Sequence, residues 1–312
     1  MSKKLSLSGQ SHKTVEEVFN DFVISQTAQG LSESTIATYR CHFHSISKHL
    51  DIQKPMNALT KADLEAMVVS MRKAGLAHNS ISSYCRVFRT FLNWSRRNGW
   101  NCPELPNIKD KETVKEPYTD EELLALLKRP EKNCSFCEYR NWVIVNFLMN
   151  SGCRSATVRN IQNRDVDLDT RQILLRHNKN GKIQTVPLCS LMVSILREYM
   201  TARGGQPDEY LFCDQYGGML SMNGLRLAVA RHNQSRGVEK TSTHLYRHTF
   251  ARKYLVDCGG NAFMLQKLLG HSTLKMTKHY CTIYDADIAK NFDRFSPLAQ
   301  MNQPKEKIRK RL

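Results

Sequence analysis

No apolar run in this chain approaches the roughly 18 to 20 residues that a helix needs to cross a bilayer. The first ten residues, Met1 to Gln10, are charged and polar and lack the apolar stretch of a secretory signal. Neither a membrane-spanning nor a secreted protein is therefore expected, and the reading is a protein that works inside the cell. Acidic residues are also scarce. Asp and Glu number 29 against 46 Lys and Arg, a formal net charge of +17. An imbalance of this size favours polyanionic partners, nucleic acid above all, over a merely soluble basic protein. The excess is spread over both halves of the chain, which suits a surface that wraps a duplex better than a single basic tail. A second cysteine pair is missing too. Cys134 and Cys137 form a lone C-x-x-C, whereas a zinc site of ordinary spacing draws on two such pairs. The ten cysteines are scattered along the chain and read as reduced thiols packed as small hydrophobes. No internal repeat is visible. What the chain does have is 41% hydrophobic residues, enough to bury a core and to exclude global disorder.

The first hundred residues read as a compact helical unit. Thr14 and Glu17 have capping-box spacing, followed by Phe19, Phe22 and Val23 on one helical face. Ser32 caps a second helix whose apolar positions, Ile36, Tyr39, Phe43, Ile46 and Leu50, alternate spacings of three and four. Thr60 and Asp63 open a third with Leu64, Met67, Val68 and Met71. Asn79 opens a fourth with Ile81, Tyr84, Phe88 and Leu92, stopped by Asn98-Gly99. Four amphipathic helices with short connections predict a small bundle over 13–100, after a flexible N-terminus at 1–12. Arg40, Lys48, Arg72, Lys73, Arg86, Arg89, Arg96 and Arg97 decorate it. Such residues serve equally as a solvated face or as phosphate contacts.

Residues 101–116 contain two prolines, many charges and little periodicity, and read as a linker. Thr119 and Glu122 then form another capping box before Leu123, Leu124 and Leu127. A second domain is expected over 117–298, mainly helical. Its β interruption comes where Gln172–Arg176 and Ile183–Leu188 flank Asn180-Gly181, a strong hairpin signal. The fold class is thus mainly α with a small β-sheet, ending in a basic tail at 299–312.

Four segments of the second domain concentrate reactive side chains. They are Ser151-Gly152-Cys153-Arg154, the turn with Lys179 and Lys182, the run Thr243 to Ala251, and Leu268-Leu269-Gly270-His271 with Tyr280 nine residues on. On a helix, His244 and Arg247 at i, i+3 share a face and can meet one anion. His244 and His248 at i, i+4 raise the question of zinc, but the metalloprotease pattern needs Glu directly after the first histidine, and Leu245 stands there. Taken singly, Arg154 reads as a helix-end arginine, Lys179 as an exposed turn lysine and His271 as a cap residue. Tyr254 and Tyr284 rival Tyr280 as plain tyrosines.

In combination these segments resemble the tyrosine recombinases, the family of phage and transposon integrases and of the recombinases that resolve chromosome dimers. The resemblance rests on Gly-x-Arg, a hairpin Lys before Val186-Pro187-Leu188, H-x-x-R-H-T-F-A, L-L-G-H, and Tyr nine residues later. It covers nearly the whole chain, with 13–100 similar to the family's helical, SAM-like core-binding domain and 117–298 to its catalytic domain. By resemblance, Arg154 and Arg247 clamp the scissile phosphate and Lys179 protonates the leaving 5′-oxygen. His244 assists as a base, His271 hydrogen-bonds the phosphate, and Tyr280 is the nucleophile. Lys182 competes with Lys179, but position relative to Val186 favours Lys179, leaving Lys182 as a DNA contact. Two positions depart from the pattern: Thr157 stands where an acidic residue is usual, and Cys153 replaces the usual Leu. Asp165 and Asp167 fit the turn into the sheet.

The chemistry explains these residue types. Attack on a phosphodiester builds charge on the non-bridging oxygens, which fixed cationic donors stabilise without a metal. A phenol with pKa near 10 needs cations and a base to become nucleophilic. The resemblance implies no metal, cofactor or small-molecule substrate. It implies a C-shaped clamp on double-stranded DNA at core sites with inverted repeats, a homotetramer on synapsed DNA, and strand exchange through a four-way junction. The protein would then lie in the cytoplasm, at the nucleoid of a bacterial or mobile-element host. No arm-binding domain precedes the bundle, which predicts a recombinase that reads core sites alone. A type IB topoisomerase-like nicking and closing enzyme and a non-catalytic DNA-binding regulator are the competing expectations.

Overall fold

The computed structural model describes residues 12–109, 116–176, 183–274 and 277. The chain divides into two compact units, Met1–Val114 and Lys115–Leu312. Among the described residues no helix is long and apolar enough to cross a membrane.

The first unit is built from α1 (Val15–Ala28), α2 (Glu33–Ser47), α3 (Lys61–Lys73) and α4 (His78–Arg97). The starts of α1 and α3 are fixed by reciprocal capping boxes, Thr14 with Glu17 and Thr60 with Asp63. Each box satisfies two of the amide donors that a helix start leaves without partners. Helix α4 begins one residue earlier than Asn79, at His78, and its N-cap Ala77 makes no side-chain bond. The apolar faces meet in an aromatic core, where Phe19 stacks on Phe43 with centroids 3.7 Å apart and packs edge-on against Phe91. The Trp94 indole donates to Ser25 Oγ at 3.1 Å, so its one polar atom is satisfied.

Residues 101–109 are not a free linker. Cys102 and Leu105 are buried in the bundle core. Ser82 Oγ donates to the Ile108 carbonyl at 2.8 Å, and Arg89 Nη2 to the Pro106 carbonyl at 2.8 Å. The prolines that read as loop punctuation instead fix an extended strap whose carbonyls face α4, which supplies the donors.

In the second unit the elements run α5 (Asp120–Leu127), α6 (Phe136–Ser151), α7 (Ser155–Arg159), β1 (Val166–Asp167), β2 (Gln172–Leu175), β3 (Gln184–Pro187), α8 (Ser190–Arg203), α9 (Met222–Ser235), α10 (Thr243–Leu255) and α11 (Ala262–Leu269). Helix α6 is buried on nearly every side from Trp142 to Leu148, the pattern of an interior helix. It packs against α5, α8, α9 and α10. The sheet is antiparallel in the order β1-β2-β3, with Ile173 opposite Val186 and Leu175 opposite Gln184. The two-residue β1 was not visible in the sequence, where Asp165 and Asp167 read as a turn. Both are structural: Asp165 accepts from Gln162 N at 2.9 Å and Arg176 Nε at 2.6 Å, and Asp167 accepts from the amides of Asp169 and Thr170.

A buried polar network fixes α10. Tyr246 donates to Asn233 Oδ1 at 2.7 Å, Asn233 donates to the Tyr118 hydroxyl at 2.9 Å, and Tyr118 donates to the Lys240 carbonyl at 3.1 Å. Burial pushes the Tyr118 phenol up to about 12, so it remains a neutral donor.

Helix α6 ends on Gly152, a left-handed residue with φ 59°. A Cβ there would lie 2.5 Å from Phe250 Cδ1 and 2.8 Å from Leu269 Cδ2. Gly217 is also left-handed, but open space surrounds it. Gly152→Ala is therefore expected to cost about 2–4 kcal/mol, combining left-handed strain with overpacking, against about 1 kcal/mol for Gly217→Ala. Equal losses in urea unfolding would show that the close approach at Gly152 is unimportant.

Candidate active site

Three loops of the second unit converge on the side chain of Arg247. The first follows α6, where Gly152 reverses the chain and sets Arg154, half-exposed, at the N-cap of α7. The second is the first turn of α10, with His244 exposed and Arg247 one turn further in, 2% exposed. The third follows α11, which also ends on a left-handed glycine, Gly270 with φ 62°, so that His271 turns back toward α10.

The Arg247 guanidinium joins all three. Nη1 donates to the Gly152 carbonyl at 2.8 Å, and Nη2 to the Leu269 carbonyl at 2.9 Å. Nη2 also lies 2.6 Å from His271 Nε2. Both carbonyls belong to helix C-termini, where the helix dipole presents partial negative charge. Two such ends offset much of the penalty for burying the cation. Since guanidinium has no acceptor atom, His271 Nε2 must be the acceptor. The other ring nitrogen, Nδ1, then carries the proton and donates to Thr277 Oγ1 at 2.8 Å. The Gln266 carbonyl accepts from the backbone amide of His271 at 3.0 Å, fixing the ring's position.

Electrostatics agree with this tautomer. Burial first, then the positive charges of Arg247 and Arg154, hold His271 down at about 4. The ring is thus neutral at physiological pH, and Arg154 lies close enough for its charge to be felt. Ser155 Oγ and Thr243 Oγ1 are hydrogen-bonded at 2.7 Å. This joins the residue after Arg154 to the residue before His244.

Four of the six expected site residues, Arg154, His244, Arg247 and His271, are thereby drawn into one neighbourhood. The other two, Lys179 and Tyr280, lie outside the described residues, as do Lys182 and Tyr284. The remaining rival, Tyr254, is a packing residue: its ring lies over Gly260, where a Cβ would come within 2.2 Å, and stacks with Phe250. Among the described residues no group of histidine, cysteine and acidic side chains is arranged to hold a metal.

In the first unit Arg40, Arg72, Lys73, Arg86 and Arg97 are exposed, but two expected DNA contacts are otherwise engaged. Arg89 donates to the Leu105 and Pro106 carbonyls. Arg96 hydrogen-bonds Asn93 and pairs with Glu104 at 3.7 Å. The sequence does not separate these from their neighbours, because Glu104, Leu105 and Pro106 belong to the strap read as linker. Gln184 was also missed, though its signal was present: two residues before buried Val186, it is a polar side chain on an inward strand position.

Residues 117–287 match the model of the phage integrase family, and residues 19–99 match the phage integrase N-terminal SAM-like domain. The chain belongs to the phage integrase family, that of the tyrosine recombinases. The tyrosine recombinase XerC of Xylella fastidiosa is 24% identical over 291 residues, covering 89% of this chain and 96% of the relative. In fold the chain is similar to the Tn1549 transposon integrase in complex with transposon right end DNA (TM-score 0.73, 16% identity, 91% of this chain and 99% of that one). It is also similar to a lambda integrase tetramer bound to a Holliday junction (TM-score 0.71, 15% identity, 91% and 84%).

The His271 environment makes a direct prediction. The folded ring binds its proton less tightly than the unfolded chain, whose histidine titrates near 6.5. Its contribution to stability is therefore full above about pH 6.5 and falls away as pH drops toward 4. In an NMR titration of ring-labelled histidines, the resonance lost in His271→Gln should have a midpoint near 4. A midpoint near 6.5 would contradict the buried, arginine-facing ring.

Proposed function

We propose that this member of the family is a site-specific DNA recombinase that cuts one strand at a time with Tyr280. The observation that carries the reading is the convergence of Arg154, Arg247 and neutral His271 on one position. Two cations and a hydrogen-bonding imidazole are what a phosphodiester needs as charge builds on its non-bridging oxygens. Arg247 is held by helix ends, so the cation is oriented before substrate arrives, and little reorganisation is left for the chemical step.

In the proposed reaction the phenolic oxygen of Tyr280 attacks the phosphorus as His244 takes the phenolic proton. The bond from phosphorus to the 5′-oxygen breaks, and Lys179 protonates that oxygen. The products are a 3′-phosphotyrosyl linkage and a free 5′-hydroxyl. Because the phosphoester is conserved, the reverse attack by a 5′-hydroxyl reseals DNA without ATP. Arg154 and Arg247 hold the non-bridging oxygens, and His271 supports them.

Four protomers on two synapsed duplexes, exchanging strands through a four-way junction, complete the reading. It draws support from the lambda integrase tetramer on a Holliday junction, whose fold is similar. Core sites with inverted repeats are the proposed substrate. The exposed Arg40, Arg72, Lys73, Arg86 and Arg97 are proposed phosphate contacts, whose contribution would weaken with salt. The proposed site of action is the nucleoid, in the cytoplasm of a bacterial or mobile-element host.

The test is covalent trapping on a nicked suicide duplex carrying the core site. Wild type is expected to form a protein–DNA adduct and Tyr280→Phe none. Arg154→Ala is expected to slow adduct formation by roughly 10²- to 10³-fold, the ordinary effect of removing one donor to a developing oxyanion. A wild type that binds the site and never forms an adduct would make this chain a DNA-binding regulator instead.

A further inference from the structure

Strand β3 is attached at both ends to the loops that form the site. At its C-terminal end, Asn150 in the last turn of α6 donates from Nδ2 to the Pro187 carbonyl at 3.0 Å. Asn150 Oδ1 accepts from the Cys189 amide at 3.1 Å. Gly152 and Arg154 follow directly. At the other end, Gln184 Nε2 donates to the Lys267 carbonyl at 3.0 Å and to the Leu268 carbonyl at 2.7 Å. These belong to the last turn of α11, where a helix leaves carbonyls short of intrahelical donors; the Gly270 amide also reaches the Lys267 carbonyl. Gln184 Oε1 lies so near Gly270 that a Cβ there would come within 2.5 Å of it.

Helix α11 does not need this side chain in order to end. Left-handed Gly270 already closes it, donating its amide to the Gln266 and Lys267 carbonyls, and the His271 amide donates to Gln266 as well. What Gln184 adds is a fixed distance between the sheet and the end of α11. Leu269, whose carbonyl accepts from Arg247, directly follows the residues that Gln184 holds, and His271 comes two residues later. With Asn150 setting β3 against the Arg154 loop, Gln184 sets the His271 loop against the same strand.

We propose that Gln184 is a positioning residue for phosphate activation: through the end of α11 it holds His271 and the Leu269 carbonyl in register with Arg247. The inference rests on the reading of Arg247 and His271 as phosphate ligands. A displacement of about 1 Å at such ligands lowers a rate on the order of 10²-fold. It leaves DNA affinity unchanged, because affinity comes from many backbone contacts elsewhere.

Single-turnover cleavage of the nicked duplex by the full chain tests this. Gln184→Ala and Gln184→Glu should cleave roughly 10- to 100-fold more slowly than wild type, with DNA affinity and unfolding temperature unchanged. Glu should be the worse of the two, since it turns a carboxylate toward two carbonyls. Gln184→Arg should recover most of the rate, because a guanidinium also donates to helix-end carbonyls. If Gln184→Glu does not fold, Gln184→Ala, which adds no charge, carries the same comparison. A second substrate with sulfur at the 5′-bridging position separates the routes, because a thiolate, with pKa near 8.5 for its thiol, leaves without a proton donor. A defect that persists on the sulfur substrate supports action through His271 and Arg247. Recovery on it would overturn the proposal in favour of leaving-group protonation. Full activity of Gln184→Glu beside an active wild type would overturn the positioning role alone. A wild type without any adduct would strike the recombinase reading itself, and this inference with it.

Discussion

A guanidinium buried at the meeting point of two helix C-termini is the constraint around which the catalytic unit is arranged. An arginine 2% exposed carries a large desolvation penalty unless its terminal donors are directed at acceptors. Here α6 and α11 each end on a left-handed glycine, and each turns a carbonyl toward Arg247. The glycines are therefore more than helix stops. At Gly152 the backbone comes so close to Phe250 and Leu269 that no side chain fits, and that approach brings its carbonyl within reach of the guanidinium. The Tyr246, Asn233 and Tyr118 network holds α10 from the other side. Removing any one of these supports would move the cation, and with it the proposed phosphate position.

The same arrangement sets the protonation state of His271. A ring that accepts from a guanidinium cannot itself be cationic without bringing two positive charges together, and its pKa of about 4 follows from burial and that pairing. Phosphate changes the balance. An anion between Arg154, Arg247 and His271 would neutralise charge that now suppresses protonation, and would take over hydrogen bonds that Arg247 and His271 now make with each other. The site is thus charged and oriented in advance, and under the proposed function the scissile phosphate would supply the missing counterion. In the proposed reaction these fixed side-chain donors would stabilise the charge that develops on the phosphate oxygens.

Much of this was legible in the amino-acid order. The capping boxes at Thr14, Thr60 and Thr119 marked three helix starts within a residue, because a cap is a local hydrogen-bonding problem with few solutions. The hairpin reading gave the antiparallel pairing of β2 and β3, while Asn180-Gly181 itself lies outside the described residues. The periodicity of α2 and α3 gave the faces that pack in the bundle. Interior helices were harder. Helix α6 is apolar on nearly all sides, so its pattern says that it is buried but not which neighbours it meets. Residues 101–109 looked like linker because proline and charge resemble solvent-facing chain, whereas Arg89 and Ser82 on another element supply their partners. Gln184 and the carbonyls of Gly152 and Leu269 escaped for the same reason. Backbone acceptors have no letter in a sequence, and the inward strand position of Gln184 signals a buried partner without naming the helix end it meets. The candidate reactive residues were singled out by their order and resemblance, and the geometry that draws Arg154, His244, Arg247 and His271 together came only with the fold.

The most direct test of this account is a crystal structure of the full chain on its core-site duplex with vanadate in place of the scissile phosphate. Arg154, Arg247 and His271 Nε2 are expected within hydrogen-bonding distance of the equatorial vanadate oxygens, about 2.7 to 3.2 Å, with Tyr280 Oη at an apex and the 5′-oxygen opposite. Arg247 should keep its bond to the Gly152 carbonyl. An equatorial oxygen held by other side chains, with Arg247 still closed on His271, would contradict it.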